Sequence, residues 1–345
     1  MNKKVDIRNL DHKELTDYFK SIGEARFRAD QVHKWLWQDA VLDFNAMTNL
    51  SKSLREKLDE HFYIQELAIA DVQASSDGTR KYAFRMHDGN LVEGVLIPTE
   101  KRLTACISTQ VGCSLACTFC ATGQLKRMRN LGHSEIYDQV VAIDHEAREH
   151  YGRGLTNIVY MGMGEPLLNY KNTLSSIHYI TDEKGLGMSP RRITVSTAGI
   201  AKAIERFADD DPKVGLALSL HAANDAKRDT IMGINETNNL DRLAKALRYY
   251  HGKTGKMVTF EYIIFRDFND SLDDARELLA YCQRVPSKVN IIEYNDVEGT
   301  PFKKSPEDRV NAFAAYLEGH GVTAKIRRSR GKDIDAACGQ LANKV

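Results

Sequence analysis

From about Thr104 onward, candidate strands alternate with helical stretches, and this alternation restricts the possible folds more than any other feature of the sequence. The candidate strands are TACIST (104–109), NIVYM (157–161), RITVS (192–196), VGLALSL (214–220), VTFEYIIF (258–265) and KVNIIEYN (288–295). A helical stretch follows each of them, and in 134–149 apolar residues recur three or four positions apart. Six such units predict a parallel sheet, either doubly wound or a partial barrel, whose ligands lie at the carboxyl ends of the strands.

The first part of the chain has a different pattern. From about Asp11 to Tyr63 the apolar spacing predicts short helices, and Asp11 with Glu14 resembles a capping box. The segment 79–98 alternates on both sides of HDGN, whose Asp-Gly pair is typical of a hairpin turn. We therefore predict a helical domain over 1–75, a β-hairpin linker over 76–99 and an α/β domain over 100–345.

The composition and the absence of apolar targeting segments limit the class of protein and its expected location. Of the 345 residues 42% are hydrophobic and 28% are charged, as in ordinary globular proteins, and Lys plus Arg (48) nearly balance Asp plus Glu (47). A nucleic-acid role must therefore depend on local basic patches. The N-terminal stretch has no apolar core of signal-peptide length, and no later stretch is long enough to span a bilayer, so we expect a cytoplasmic protein. In that reducing compartment, clustered cysteines are more often metal ligands or catalytic thiols than disulfides.

Three of the six cysteines lie in GCSLACTFCATG (112–123), with the spacing C-x3-C-x2-C. Cys113, Cys117 and Cys120 follow the first strand of the α/β part. A closed zinc site needs a fourth ligand, and nearby His133 lies thirteen residues beyond Cys120 without the context of a zinc knuckle. Three thiolates on a four-iron cluster leave one iron open for a substrate or cofactor, so the spacing favours an iron-sulfur centre over zinc.

Further candidate ligand groups follow the other strands. In MGMGEP (161–166), Gly162 and Gly164 allow the backbone to approach a ligand and Glu165 adds a carboxylate, although a tight turn alone would also explain the glycines. The third glycine of a dinucleotide loop would fall at Leu167, which argues against that motif. STAG (196–199), SLHAAND (219–225) and EYND (293–296) are each typical of helix capping, yet their shared location indicates one pocket.

Cys338 lies near the carboxyl terminus in RRSRGKDIDAACGQLA (327–342), after a run of cations that favour a thiolate and would also favour a phosphate backbone. Cys106 lies within the first strand of the α/β part. An inert buried thiol is the alternative for both, and for Cys282, in a helical stretch, it is the preferred interpretation.

Together, QVGCSLACTFCATG, GMGEPLLN, RRITVSTAG, SLHAAND and DIDAACGQLA resemble the RlmN family of radical S-adenosylmethionine (SAM) enzymes, over about residues 93–342. The resemblance implies a partial (β/α)6 radical SAM barrel with an N-terminal helical accessory RNA-binding domain and a connecting β-hairpin. It also implies methylation of carbon 2 of adenosine in 23S rRNA, and of the adenosine 3′ to the anticodon in tRNA. An electron donor such as flavodoxin would serve the enzyme, which we expect to be a monomer that does not bind membranes.

The same resemblance implies roles for individual residues. A 4Fe-4S cluster on Cys113, Cys117 and Cys120 would bind SAM at its open iron, and each turnover would consume two SAM molecules. Cys338 would carry the methyl group, Cys106 would form a transient disulfide with it, and Glu93 would accept the ring proton. The SAM contacts would be Gly164, Glu165, Ser196, Ser219, Leu220, His221 and Asn295. Candidate RNA contacts are the basic residues Lys126, Arg127, Arg129, Arg191 and Arg192 and the run 327–332.

Two alternatives differ in chemistry. The related Cfr type methylates carbon 8 of the same ribosomal adenosine, and the pair Glu165-Pro166 favours carbon 2. A protein of another class, which binds RNA and contains a structural metal without catalysis, would be a colourless zinc protein that tolerates air.

Overall fold

The structure is a computed structural model that describes residues 4–343. In the N-terminal part, β1 (Val5–Asp6) pairs in parallel with β2 (Phe62–Tyr63), and between them lie α1 (His12–Ser21), α2 (Phe27–Trp37) and α3 (Lys52–His61). The side chain of Asp11 accepts from the N–H of Glu14, whose carboxylate accepts from the N–H of Asp11, each at 2.8 Å. The predicted capping box is therefore present and begins α1.

Three antiparallel strands follow this helical part. The predicted hairpin is formed by β4 (Arg80–Arg85) and β5 (Leu91–Pro98), and β3 (Ala68–Ala74), which the sequence did not indicate, pairs with the outer side of β4. β5 also pairs in antiparallel fashion with β6 (Leu103–Cys106), the first strand of the α/β part. The hairpin is thus continuous with the main sheet.

The predicted alternation of strands and helices is confirmed. Each of the six predicted strands is present within a few residues of its expected bounds, and a further parallel strand, β14, follows them. After β6 the elements are β7 (Gln110–Val111), α4 (Ala121–Gln124), β8 (Arg129–Asn130), α5 (His133–Tyr151), β9 (Asn157–Tyr160), α6 (Tyr170–Thr181), β10 (Ile193–Thr197), α7 (Ala201–Asp210), β11 (Gly215–Ser219), α8 (Asp225–Ile231), α9 (Leu240–Thr254), β12 (Val258–Ile264), α10 (Leu272–Cys282), β13 (Ser287–Glu293), α11 (Glu307–Gly319) and β14 (Ala324–Arg327).

Between residues 4 and 343, ten strands form one sheet in the order β14-β13-β12-β11-β10-β9-β6-β5-β4-β3. The pairs from β6 to β14 are parallel. Every residue of β12 is buried, as expected for a parallel strand with both faces covered. Because all these strands run in one direction, the segments that follow them meet at the same edge of the sheet.

The helical part is fixed against the outside of the barrel. The ring of Trp37 stacks on Tyr179 of α6, with centroids 3.7 Å apart, and on His133 of α5 at 5.6 Å. The buried guanidinium of Arg8 donates to the carboxylate of Asp138 at 2.6 Å. Aromatic stacking and a buried charged hydrogen bond therefore join the two parts of the chain. No helix within 4–343 is long and apolar enough to cross a membrane.

Candidate active site

The three cysteines of the C-x3-C-x2-C segment line one cavity at the carboxyl edge of the strands. The loop is fixed to α8 by the N–H of Thr118, which donates to the carbonyl of Ile231 at 3.1 Å, and it is closed internally by the N–H of Cys120, which donates to the carbonyl of Cys117 at 3.2 Å. All six cysteines of the chain lie in the described region and none is in a disulfide. Burial raises the pKa of Cys113 to about 11, so without a metal this thiol holds its proton at neutral pH.

The loop after β9 forms a second wall of this cavity. Gly164 has a φ of +92°, and a Cβ atom there would lie 2.4 Å from the Cβ of Gln110. Its neighbour Glu165 is buried, with Oε2 accepting from the N–H of Ala198 at 2.7 Å and Oε1 from that of Leu167 at 3.0 Å. Burial raises the pKa of Glu165 to about 7. The loop therefore presents a desolvated carboxylate, whose charged form a cationic partner would stabilise.

The ends of β10 and β11 complete the cavity with small polar groups. The hydroxyl oxygens of Ser196 and Ser219 lie 3.4 Å apart, and His221 lies beside them with a φ of +56°. Burial, with a smaller contribution from Arg228, lowers the pKa of His221 to about 3, so the ring is neutral. Its Nδ1 accepts from the N–H of Ile263 at 3.0 Å, which leaves the ring proton on Nε2.

A second cavity adjoins the first on the side of β6 and β14. Cys106, at the end of β6, and Arg327, at the end of β14, line it together with Cys338, and Arg328 and Arg330 contribute to the same wall. Burial raises the pKa of Cys106 to about 12, and the neighbouring Cys338 adds to the effect. The two thiols that the sequence indicated as reactive, Cys106 and Cys338, therefore line the same cavity.

Cys338 lines both cavities. The residue is solvent-exposed, yet protein atoms pack around its thiol. This enclosure raises the pKa of Cys338, and the positive charge of Arg327 acts in the opposite direction. A group carried on this sulfur would have access to both spaces.

The C-terminal tail keeps Cys338 in this position. The N–H of Ala121 donates to the carbonyl of Gly339 at 2.7 Å, and the hydroxyl of Thr122 donates to the carbonyl of Leu341 at 2.6 Å. Both donors directly follow the last cysteine of the cluster loop. The tail and the cysteine loop are therefore hydrogen-bonded to each other.

Glu93, the predicted general base, lies on β5 and is buried. Its Oε2 accepts from the N–H groups of Ala342 and Asn343 at 2.8 and 3.1 Å, and Oε1 lies 3.4 Å from Nζ of Lys81. Among the described residues it lines neither of the two cavities. It contacts the tail four and five residues beyond Cys338.

Two of the predicted SAM contacts also lie outside the described linings of these cavities. Leu220 is a core residue whose carbonyl accepts from Nε of Arg228 at 3.1 Å. Asn295 is buried after β13 and donates to the hydroxyl of Ser329 at 2.9 Å. Both flank the site, and their SAM contacts stay predictions.

Sequence reasoning missed Glu261, which lines the first cavity from β12. Its Oε1 accepts from Asn290 at 2.9 Å, and Oε2 lies 3.5 Å from the guanidinium of Arg327. Burial raises the pKa of this carboxyl. The signal was present, since Glu261 is the one charged residue inside the apolar stretch VTFEYII (258–264).

The candidate RNA contacts have different surroundings. Lys126 and Arg127 are exposed beside the cysteine loop, whereas Arg129 is bound by the carboxylates of Asp88 and Glu135. Arg191 and Arg192 precede β10 and so lie at the edge of the sheet opposite the cavities. In the run 327–332, Arg328 and Lys332 pair with Glu293. Lys126 and Arg127 are thus the more available cations near the site.

Comparison with known proteins agrees with this geometry. Residues 5–64 match the family model "Ribosomal RNA large subunit methyltransferase N-terminal domain", and residues 107–279 match the model of the radical SAM superfamily. The "probable dual-specificity RNA methyltransferase RlmN" of Cytophaga hutchinsonii is 55% identical over 99% of this chain and 94% of that protein. The chain belongs to the RlmN family. The RlmN protein of Halorhodospira halophila, a "dual-specificity RNA methyltransferase", is 46% identical over 99% of this chain and 94% of its own.

The RlmN fold is also that of a solved structure. A radical SAM methyltransferase from Sphaerobacter thermophilus superimposes with a TM-score of 0.92 at 40% identity, over 98% of this chain and 99% of that one. This confirms the predicted radical SAM barrel. The chain is a radical SAM RNA methyltransferase, and its family uses a 4Fe-4S cluster and SAM.

The residues of the first cavity fit these cofactors. Three unpaired thiols face one space, and binding to iron removes thiol protons that burial would otherwise retain. The carboxylate of Glu165 suits an ammonium group, and Ser196, Ser219 and His221 offer neutral polar atoms. Cys113, Cys117 and Cys120 would hold the cluster, and the loop after β9 would hold SAM beside it.

Proposed function

We propose that this RlmN-family enzyme methylates carbon 2 of adenosine in 23S rRNA and in tRNA, with the methyl group carried on Cys338. The observation that carries the proposal is that Cys338 forms part of the wall between the cavity of the three cysteines and the cavity of Cys106. A carrier between a cofactor site and a substrate site needs this position. The proposal thereby assigns the second cavity to the target adenine.

Carbon 2 of adenine is electron-poor, so it does not attack a methyl electrophile as a nitrogen would, whereas a thiolate does. Cys338 would first take the methyl group on its sulfur, and Arg327 favours the thiolate that this displacement requires. When bound, the cluster and SAM supply the methyl group and the radical that removes hydrogen from the S-methyl carbon. The activated carbon would then bond to carbon 2 and join Cys338 to the RNA, and the cluster that Cys113, Cys117 and Cys120 would hold can take up the unpaired electron that this addition leaves on the adduct.

Release of the product would require the second thiol. Cys106 would bond to the sulfur of Cys338 while the bond between that sulfur and the transferred carbon breaks. The electron pair of the broken bond would leave with the product, and the transferred carbon would take a proton from solvent to become the methyl group. Glu93 would accept the proton of carbon 2. Its carboxylate accepts hydrogen bonds from the N–H groups of Ala342 and Asn343, so it is joined to the tail that carries Cys338. An external thiol would reduce the disulfide before the next turnover.

We further propose that RNA approaches over the rim formed by Arg328 and Arg330 and over the exposed Lys126 and Arg127. The target adenosine would leave its stack to enter the second cavity. The helical part, proposed as residues 1–75, would add RNA contacts at a fixed distance from the second cavity, because Trp37 stacks on Tyr179 and holds this part to the barrel. The matching family model for residues 5–64 supports this role.

The test is anaerobic reconstitution with iron, sulfide, SAM and a reductant such as reduced flavodoxin, followed by mass spectrometry of digested rRNA and tRNA. We expect 2-methyladenosine in both RNAs. Formation of 8-methyladenosine would replace the proposal with the Cfr-type reaction, and a colourless zinc protein that forms neither product would refute it.

The two-thiol scheme has its own test. Cys106→Ala should accumulate RNA bonded to the protein, because the thiol that releases it is missing, and Cys338→Ala should form no such adduct. Cys282→Ala is the matched control, since Cys282 lies at the end of α10, and it should retain turnover. An absence of adduct in the Cys106 variant, when the wild type turns over, would contradict the assigned roles.

A further inference from the structure

Arg228, on α8, is completely buried and contacts residues that line the first cavity. Its guanidinium donates to three backbone carbonyls, those of Leu220 at 3.1 Å, Ala198 at 2.6 Å and Ser219 at 3.2 Å. A fourth bond, of 2.6 Å, goes to the side-chain oxygen of Asn235. One side chain thus ties together the ends of β10 and β11, the strands that carry the polar groups of the cavity.

The charge of Arg228 has no ionic partner in contact. Among residues 4–343, no carboxylate oxygen lies within 4 Å of its guanidinium nitrogens. Asp225 and Asp229 interact with Arg228 over a longer distance and accept hydrogen bonds from the amide nitrogen of Asn235 at 2.9 and 2.7 Å. Burial lowers the pKa of Arg228 to about 10, so the group remains cationic at neutral pH. A buried cation without a carboxylate in direct contact is stabilised by any further anionic group that comes near it.

The site supplies such a group. Cys117 lies close enough to Arg228 for the two charges to interact. α8 also contacts the cysteine loop directly, through the bond from the N–H of Thr118 to the carbonyl of Ile231. A cluster held by three thiolates is anionic, and each added electron makes it more so. The positive charge of Arg228 is therefore within electrostatic reach of a cysteine that would hold the cluster.

We propose that Arg228 is a positioning residue that orders the strand ends that bind SAM and stabilises the reduced cluster. The proposal rests on the assignment of Cys113, Cys117 and Cys120 as cluster ligands. The hydrogen bonds to Ala198 and Ser219 fix the backbone beside Glu165 and Ser196, and the charge makes reduction more favourable because the local dielectric constant is low.

Two substitutions separate these contributions. Arg228→Gln removes the charge and most of the donors, whereas Arg228→Lys retains the charge and loses the planar arrangement that reaches several carbonyls. Arg276→Gln is the matched control, since Arg276 is exposed on α10 and pairs with Asp273. Each reconstituted protein is assayed for iron and sulfide content, for the midpoint potential of the cluster by EPR-monitored titration without SAM, and for SAM affinity by calorimetry.

We expect Arg228→Gln to shift the midpoint potential to a more negative value and to weaken SAM binding about tenfold, because several charge-assisted hydrogen bonds are lost. Arg228→Lys should keep a potential close to that of the wild type and still bind SAM more weakly. A potential unchanged in Arg228→Gln would refute the electrostatic role, and unchanged SAM affinity in Arg228→Lys would refute the positioning role, even if the Gln variant does not fold. A wild type that takes up no 4Fe-4S cluster would instead refute the ligand assignment.

Discussion

Replacement of Gly164 by alanine tests whether the loop after β9 must pack closely against Gln110 of β7. Gly164 has a φ of +92°, which costs an L-residue roughly 1–2 kcal/mol. The new Cβ would lie 2.4 Å from the Cβ of buried Gln110, an atom that side-chain rotation cannot move, and such overpacking costs roughly 1–3 kcal/mol. We therefore expect the free energy of unfolding of the apo-protein to fall by about 2–5 kcal/mol.

The same substitution should weaken SAM binding by about 10- to 100-fold, because Gly164 positions the adjacent carboxylate of Glu165 and misplacement by an ångström has effects of this size. Urea denaturation and calorimetric SAM titration measure the two effects. Gly255→Ala is the first control, since Gly255 has a φ of +68° with no atom within 4 Å of a new Cβ, and it isolates the backbone cost. Gly233→Ala, with open space and no positive φ, should be nearly neutral. A Gly164 variant no less stable than the Gly255 variant, with unchanged SAM affinity, would refute the close-approach argument.

Three further outcomes are expected. Burial raises the pKa of Glu165 from 4.5 to about 7, so between these pH values the folded wild type retains a proton that the unfolded chain loses. The free energy of unfolding of the wild type should therefore fall, relative to that of Glu165→Gln, by up to ~3 kcal/mol as the pH rises from 4.5 to 7. Urea denaturation at several pH values measures this, and parallel profiles would contradict it. Trp37→Ala should lower the free energy of unfolding by about 3–5 kcal/mol, because the ring is buried against Tyr179. The partly exposed Trp35 is the control, and equal losses for Trp35→Ala and Trp37→Ala would show that the stacked position is not special. The pair Lys126→Ala and Arg127→Ala should weaken tRNA binding and reduce the slope of log affinity against log salt by about two, and an unchanged slope would exclude phosphate contacts.

Local patterns were sufficient for much of the fold. The helix cap at Asp11, the hairpin turn at Asp88-Gly89 and the six parallel strands were all predicted, because caps, turns and periodicity are properties of short segments. β3 and β14 were missed, since both are edge strands whose pairing depends on distant partners. β14 has only four residues and no residue of β3 is buried, so neither segment shows the clear apolar pattern of a core strand.

The sequence by itself determined the chemistry that this chain can perform: three cysteines at cluster spacing, glycine loops at strand ends, and a family resemblance that the comparisons confirm. It did not reveal which of these groups face one another. Only the tertiary structure shows that Cys338 lines two cavities, that Glu261 pairs with Arg327, and that Arg228 joins the ends of β10 and β11. The physical reason is that such contacts depend on strand register and on loop closure between residues far apart in the chain, whereas sequence patterns report mainly on near neighbours.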